Sequence, residues 1–141
     1  MKKKVLFICT GNSARSQMAE GLLRQMGGDR FEVFSAGTCP IPVRPLAIKA
    51  MQEIGVDISQ HYSKTLEQFV GLPFDYVITV CDNAKEDCPV FHGARNTLHW
   101  CIQDPVGVMG SQEVLLQAFR KARDDIAGRI QKAFDLQDDG E

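Results

Sequence analysis

The sequence predicts an α/β fold built on a parallel sheet, and two observations carry that expectation. Short apolar runs such as Val5-Leu6-Phe7-Ile8-Cys9 are continuous, as in strands buried on both faces of a parallel sheet. Between such runs lie stretches whose apolar residues recur at spacings of three and four, the period of amphipathic helices. Strands that alternate with helices build layered α/β domains.

Each element follows in order. The first strand, Val5 to Cys9, gives way to the loop-forming cluster Thr10-Gly11-Asn12-Ser13. A helix follows with Met18, Ala19, Leu22, Leu23 and Met26 on one stripe and Gly27-Gly28 as its stop. Phe31 to Ala36 reads as the second strand, and Cys39-Pro40-Ile41-Pro42 as an extended connection. Pro45 suits the first turn of a second helix, whose stripe is Ala47, Ala50, Met51 and Ile54 and which Gly55 closes. Gly71-Leu72-Pro73 breaks the chain before a third strand, Phe74 to Cys81. A polar segment, Asp82 to Asn96, leads to a short strand at Thr97 to Cys101. After the loop Gln103 to Gly110, Leu115, Phe119, Ala122, Ile126, Ile130 and Ala133 mark a long helix. The acidic tail Asp135 to Glu141 is expected to fray.

Length and composition narrow the function classes. The 141 residues suit a single domain, 1–141, and 44% hydrophobic with 24% charged residues is a globular profile. Sixteen Lys and Arg against eighteen Asp and Glu give a net charge of −2, so no global basic field favours nucleic acid or an anionic membrane. No apolar stretch approaches the roughly 18 residues of a membrane span. Met1-Lys2-Lys3-Lys4 precedes an apolar run of only five residues, too short for a signal peptide. Five cysteines, an odd number, fit a secreted disulfide framework poorly. A reducing cytoplasm is therefore expected, where several thiols in one small protein point to catalysis, redox cycling or metal.

The local chemistry is concentrated at the first strand–helix turn, Cys9-Thr10-Gly11-Asn12-Ser13-Ala14-Arg15-Ser16. Gly11 permits close backbone approach, and successive N–H groups in such a loop converge on an anion. The loop opens onto a helix N-terminus, which carries partial positive charge and unpaired donors. Arg15 adds a planar fork for two oxygens of a tetrahedral oxyanion. The same field favours the Cys9 thiolate, to which the hydroxyls of Ser13 and Ser16 can donate. Ligands of parallel sheets bind beyond the carboxyl ends of the strands, where Cys9, Cys81 and Cys101 are expected to share an edge.

In this loop the chain resembles the low-molecular-weight protein tyrosine phosphatase superfamily, whose motif is Cys-x5-Arg-Ser after the first strand. A second hallmark of that superfamily, a downstream Asp-Pro pair, matches Asp104-Pro105. The resemblance spans about residues 4 to 133. It implies a four-stranded parallel sheet with helices on both faces, a three-layer domain. It also implies Cys9 as nucleophile, Arg15 as oxyanion clamp and Asp104 as general acid. Asp104 has a plainer local reading too, as a turn residue before Pro105.

Within the superfamily the chain departs from the phosphatases. Ala14 stands where they usually carry a second cysteine, and Val106, Gly107 and Val108 follow Asp104-Pro105 where they tend to have aromatics. Cys81 and Cys88, with Thr10-Gly11-Asn12-Ser13 and His99-Trp100, resemble the thioredoxin-coupled arsenate reductases of the same fold. This implies arsenate as substrate, phosphate or sulfate as mimics, and reduced thioredoxin as electron donor to a monomer with no tightly bound cofactor. Cys9 attacks arsenic, Cys81 resolves the adduct, and Cys88 carries the disulfide outward. A helix over 82–88 would hold the Cys81 and Cys88 Cα atoms about 10 Å apart along its axis. A disulfide needs about 4.4–6.8 Å, so that segment is expected to loop out on oxidation.

Three further readings stand beside this one. A phosphatase acting on phosphotyrosine or aryl phosphates would use the same Cys9, Arg15 and Asp104. A zinc module could use Cys81, Cys88, His92 and His99, but their spacing is unlike usual structural zinc sites. A non-catalytic arsenic or redox sensor would leave Arg15 and Asp104 idle. Related reductases can hold a monovalent cation through oxygens corresponding to Asn12, Glu20 and Ser35. Lys64 stands where a further acidic ligand is expected, so no metal is expected here. Cys39 and Cys101 receive no role.

Overall fold

The apolar run near the start of the chain forms strand β1 (Lys3–Cys9), in a computed structural model that describes residues 2–82 and 89–136. Helix α1 (Arg15–Gly27), strand β2 (Phe31–Gly37) and helix α2 (Pro45–Gln52) follow. Strands β3 (Phe74–Val80) and β4 (Ala94–Trp100) precede the long helix α3 (Gln112–Ala133). Short 3-10 turns lie at Gly28–Arg30, Leu66–Phe69 and Pro105–Gly107. The four strands form one sheet in the order β2-β1-β3-β4, and every neighbouring pair is parallel.

Alternation along the strands sorts the core into two layers. Val5, Phe7 and Cys9 of β1 join Ile78 and Val80 of β3 in the larger cluster, with Met18, Leu22, Ala50, Met51, Phe119 and Ile126 of the three helices. Leu6 and Ile8 face the other way, with Val77, Phe69 of a 3-10 turn, Phe74 and Phe91. Both faces of the sheet are covered: among the described residues the three α-helices pack on one, and the Leu66–Phe69 turn and Phe91 on the other. No helix among the described residues is long and apolar enough to cross a membrane.

Several expected details shift. Strand β3 ends at Val80, so Cys81 stands one residue beyond it, and β4 begins at Ala94 rather than Thr97. Ile54 lies past the end of α2 and is exposed. In α3 the buried stripe runs through Leu116 rather than through the half-buried Leu115. The Ser111 side chain caps that helix by accepting from the Val114 N–H at 3.3 Å. Ala133 is exposed because Phe134, where the helix stops, takes the buried place. Its ring packs at 5.0 Å from Phe31 and 5.1 Å from Tyr76. Charge ties α2 to α3: bonds from Arg120, with help from Arg123, hold the Glu53 carboxyl down at about 2.

Gly37 closes β2 opposite Cys9 and lets the backbone of the first turn lie directly against it. A Cβ there would stand 2.5 Å from the Thr10 carbonyl oxygen and 2.9 Å from the Asn12 nitrogen, both backbone atoms that cannot swing aside. Gly37→Ala is therefore expected to lower stability by about 1–3 kcal/mol, the range for overpacking. An unchanged midpoint in urea unfolding would refute that account.

Candidate active site

Cys9 ends β1 with its thiol almost wholly enclosed, and its Sγ lies 2.9 Å from the Ser16 hydroxyl. Ser16 Oγ also accepts from the Asn12 side-chain amide at 2.7 Å. With that lone pair taken by a donor, the Ser16 proton is left for the sulfur, an arrangement that suits a thiolate.

The loop's carbonyls are tied outward. Thr10, Gly11 and Ser13 each accept from the connection after β2, at 2.9 Å from the Cys39 N–H, 3.0 Å from Ile41 and 2.9 Å from Arg44. In a trans peptide the N–H lies opposite the C=O. The N–H groups of Gly11, Asn12 and Ala14 therefore face the inside of the loop. Helix α1 begins immediately after it with no acidic residue in its first turn and no side-chain cap. Its positive end is left uncompensated for an anion.

Asn12 holds this shape at φ 48, in the left-handed region. Its Oδ1 accepts from the Lys64 N–H and from Gln17 Nε2, both at 2.9 Å, and its carbonyl accepts from Ser63 Oγ at 2.8 Å. Gln17 is fully buried, and its Oε1 lies 3.0 Å from His61 Nδ1. An amide oxygen only accepts, so Nδ1 carries the proton. Burial pushes His61 below the ordinary histidine range, consistent with a neutral ring.

Arg15 is 3% exposed, donates to the Ile102 carbonyl at 3.1 Å and lies 3.5 Å from an Asp104 oxygen. The other Asp104 oxygen accepts from the Val106 N–H at 3.0 Å. Asp104 is thus both the turn residue of the local reading and a neighbour of Arg15. Cys9, Thr10, Gly11, Ser13, Ala14, Arg15 and Asp104 line one cavity of about 260 Å³, completed by Cys39, Ile41 and Val106. That volume falls below the roughly 300–1,000 Å³ of sites for drug-sized ligands and suits a small oxyanion. Asn12 and Ser16 support the cavity from behind.

The other cysteines divide. Cys81 is fully buried beside the end of β3 and is disulfide-bonded, whereas Cys9, Cys39 and Cys101 carry free thiols. Cys88 lies outside the described residues, as does the segment expected to loop out on oxidation. Cys101 is exposed, with its Sγ 3.8 Å from Asp82 Oδ1. Among the described residues no three His, Cys, Asp or Glu side chains gather to hold a metal. His99, one of the zinc candidates, instead bonds Thr79 Oγ1 through Nδ1 at 2.6 Å. Beside the loop, Glu20 accepts from Ser35 at 2.5 Å and from Arg24 at 2.7 Å, and the Lys64 ammonium lies 3.9 Å away.

Cys39, which lines the cavity, and Gln17 and His61, which brace its loop, stand outside the sequence motifs. A polar Gln17 beside the apolar stripe of α1 is the one sequence signal among them, and nothing adjacent to Cys39 marks it.

Residues 4–138 match the family described as low molecular weight phosphotyrosine protein phosphatase. The chain is 43% identical over 129 residues to the arsenate reductase of Halalkalibacterium halodurans, covering 92% of this chain and 93% of that protein. A solved arsenate reductase in the phosphate-binding state superposes with a TM-score of 0.81 at 34% identity, covering 94% and 97% of the two chains. The thioredoxin-dependent arsenate reductase of Corynebacterium glutamicum gives 0.72 at 32% identity, over 95% of this chain and 61% of that one.

Two outcomes follow from the geometry. Asn12→Ala places a β-carbon at φ 48 and removes the bonds to Ser16, Gln17 and Lys64, so phosphate affinity by calorimetry should fall at least tenfold, about 1.4 kcal/mol; wild-type affinity would refute the supporting role. For His61 the folded value lies below the unfolded one, so between the two the unfolded chain binds the extra proton. Stability should therefore fall as pH drops below about 6.5. In urea titrations between pH 5 and 8, His61→Gln should flatten that slope, and an identical slope would sink the assignment.

Proposed function

Because this chain belongs to the low molecular weight phosphotyrosine protein phosphatase family, we propose that it is an arsenate reductase that works through Cys9, Cys81 and Cys88. The observation that carries the reading is a disulfide-bonded cysteine one strand end away from the free cysteine of an oxyanion pocket. A phosphatase needs one cysteine, and here a disulfide-bonded Cys81 stands at the next strand end from a free Cys9.

Arsenate is tetrahedral like phosphate, so the loop N–H groups and the Arg15 guanidinium can hold its oxygens. The Cys9 thiolate attacks arsenic, and Asp104 protonates the departing hydroxide, which leaves as water. The Cys81 thiolate then attacks the Cys9 sulfur. The sulfur–arsenic bond breaks with its electron pair going to arsenic, arsenite departs, and a Cys9–Cys81 disulfide remains. Attack by Cys88 on Cys81 frees Cys9 and leaves a Cys81–Cys88 disulfide, which reduced thioredoxin returns to thiols. The C. glutamicum neighbour, thioredoxin-dependent by its description, supports that donor.

The family's phosphatase chemistry is the second reading, because it needs the same Cys9, Arg15 and Asp104. Val106, Gly107 and Val108 offer no aromatic grip on a phenyl ring, which favours the smaller anion.

The test is arsenate-dependent NADPH oxidation with thioredoxin and thioredoxin reductase. Wild type should turn over, whereas Cys88→Ser should release one arsenite per protein and stall. Asp104→Asn should slow the first chemical step by about 10²–10⁴-fold. Absent turnover in wild type, together with rapid aryl-phosphate hydrolysis, would replace this reading with the phosphatase one.

A further inference from the structure

A second cavity, of about 350 Å³, shares Val106 with the oxyanion pocket. Leu46 of α2 and Leu115 and Phe119 of α3 supply its other main apolar walls, and Arg44 and Gln112 its polar groups. Among the described residues no Asp or Glu lines it.

Arg44 sits between the two cavities. Its backbone N–H holds the Ser13 carbonyl of the oxyanion loop at 2.9 Å, and the residue precedes the first turn of α2. Its guanidinium makes no ion pair among the described residues, and its Nε is buried with no hydrogen-bond partner. A guanidinium with no anionic partner keeps its donors available for one. The buried Arg123, for comparison, bonds Glu53, Asp124 and the Ala50 carbonyl. Neighbouring carboxylates are committed elsewhere: Asp104 to Arg15 at 3.5 Å, and Glu113 to Arg120 at 3.2 Å.

We propose that this cavity is a second binding site, for a small organic carboxylate with an aromatic or branched aliphatic body. The carboxylate supplies the anionic partner that the Arg44 guanidinium lacks, in the two-oxygen geometry that guanidinium favours. The Gln112 amide is a further donor on the same wall. The apolar body covers Leu46, Val106, Leu115 and Phe119, and a volume near the lower end of ligand pockets sets its size. The site needs no cysteine, so it stands whether or not the chain reduces arsenate. Through Val106 and the Arg44–Ser13 bond it adjoins the oxyanion loop.

The probe is 4-phenylbutyrate, with the uncharged 4-phenylbutanol as its control. Both are titrated into the full chain by calorimetry and amide NMR. Saturating phosphate keeps the oxyanion loop filled, so the carboxylate cannot bind there. The carboxylate should bind saturably, shift the signals of Leu46, Val106, Leu115 and Phe119, and bind at least tenfold more tightly than the alcohol. Arg44→Met should erase that tenfold preference and leave the alcohol unaffected, while Arg44→Lys should keep part of it. No saturable binding at millimolar ligand, equal affinity for acid and alcohol, or shifts confined to other residues would overturn the proposal. Should Arg44→Met fail to fold, the acid–alcohol preference and the shift map of the wild type decide alone.

Discussion

Asn12 occupies φ 48, a conformation that a residue with a side chain keeps only where its surroundings fix it. Here they do so from two elements at once. Helix α1 contributes Ser16 and Gln17, and the connection before β3 contributes Ser63 and Lys64. Release of these bonds would let the peptide planes on either side of Asn12 rotate, and the inward N–H groups would lose their common centre. The same connection is joined to β2, because the Gly37 N–H donates to the Lys64 carbonyl at 2.9 Å. The anion loop, the end of β2 and residues 63–65 are therefore one hydrogen-bonded unit. Buried polar networks of this kind stabilise a single conformation only when each member is satisfied.

The parallel sheet supplies the other half of the arrangement. Ile8 pairs with Thr79 and Val80 with Trp100, so Cys9, Cys81 and Cys101 all emerge at the carboxyl edge. Their burial then separates them by the chemistry they can do. Cys9 is enclosed yet lines a cavity open to a small anion, Cys81 is sealed, and Cys101 is exposed beside Asp82. A sulfur sealed in this way cannot meet a protein reductant directly. On the proposed route the oxidising equivalent must leave Cys81 through another cysteine, which is the place given to Cys88.

What the sequence revealed was local. The turn from β1 into α1, the Asp104-Pro105 pair and the alternation of strand and helix each lie within a few consecutive residues, and all could be read directly. Phase and distant contact were harder. Leu115 and Leu116 both suit a period of three or four, and only the packing of α3 onto the core decides between them. Cys39 gains its place because its N–H reaches Thr10 across two loops, and His61 because it meets Gln17 across forty-four positions. No period or spacing encodes such meetings. The same holds for Arg44, whose missing partner is a property of three-dimensional surroundings.

Lys64 shows how a single residue can serve both the loop and its electrostatics. Its backbone N–H fixes Asn12 Oδ1, while its ammonium lies 3.9 Å from the buried Glu20 carboxylate. Burial pushes that ammonium below the ordinary lysine range, and the Glu20 charge opposes the shift. Glu20 already receives Arg24 at 2.7 Å and the Ser35 hydroxyl, so a further cation at this point would meet two positive charges. The charge that a bound monovalent cation would bring against Glu20 is here tethered to the chain. Loss of the ammonium would leave Arg24 and the Ser35 hydroxyl to hold the buried carboxylate, and Ser35 of β2 would feel that change through the bond it already makes.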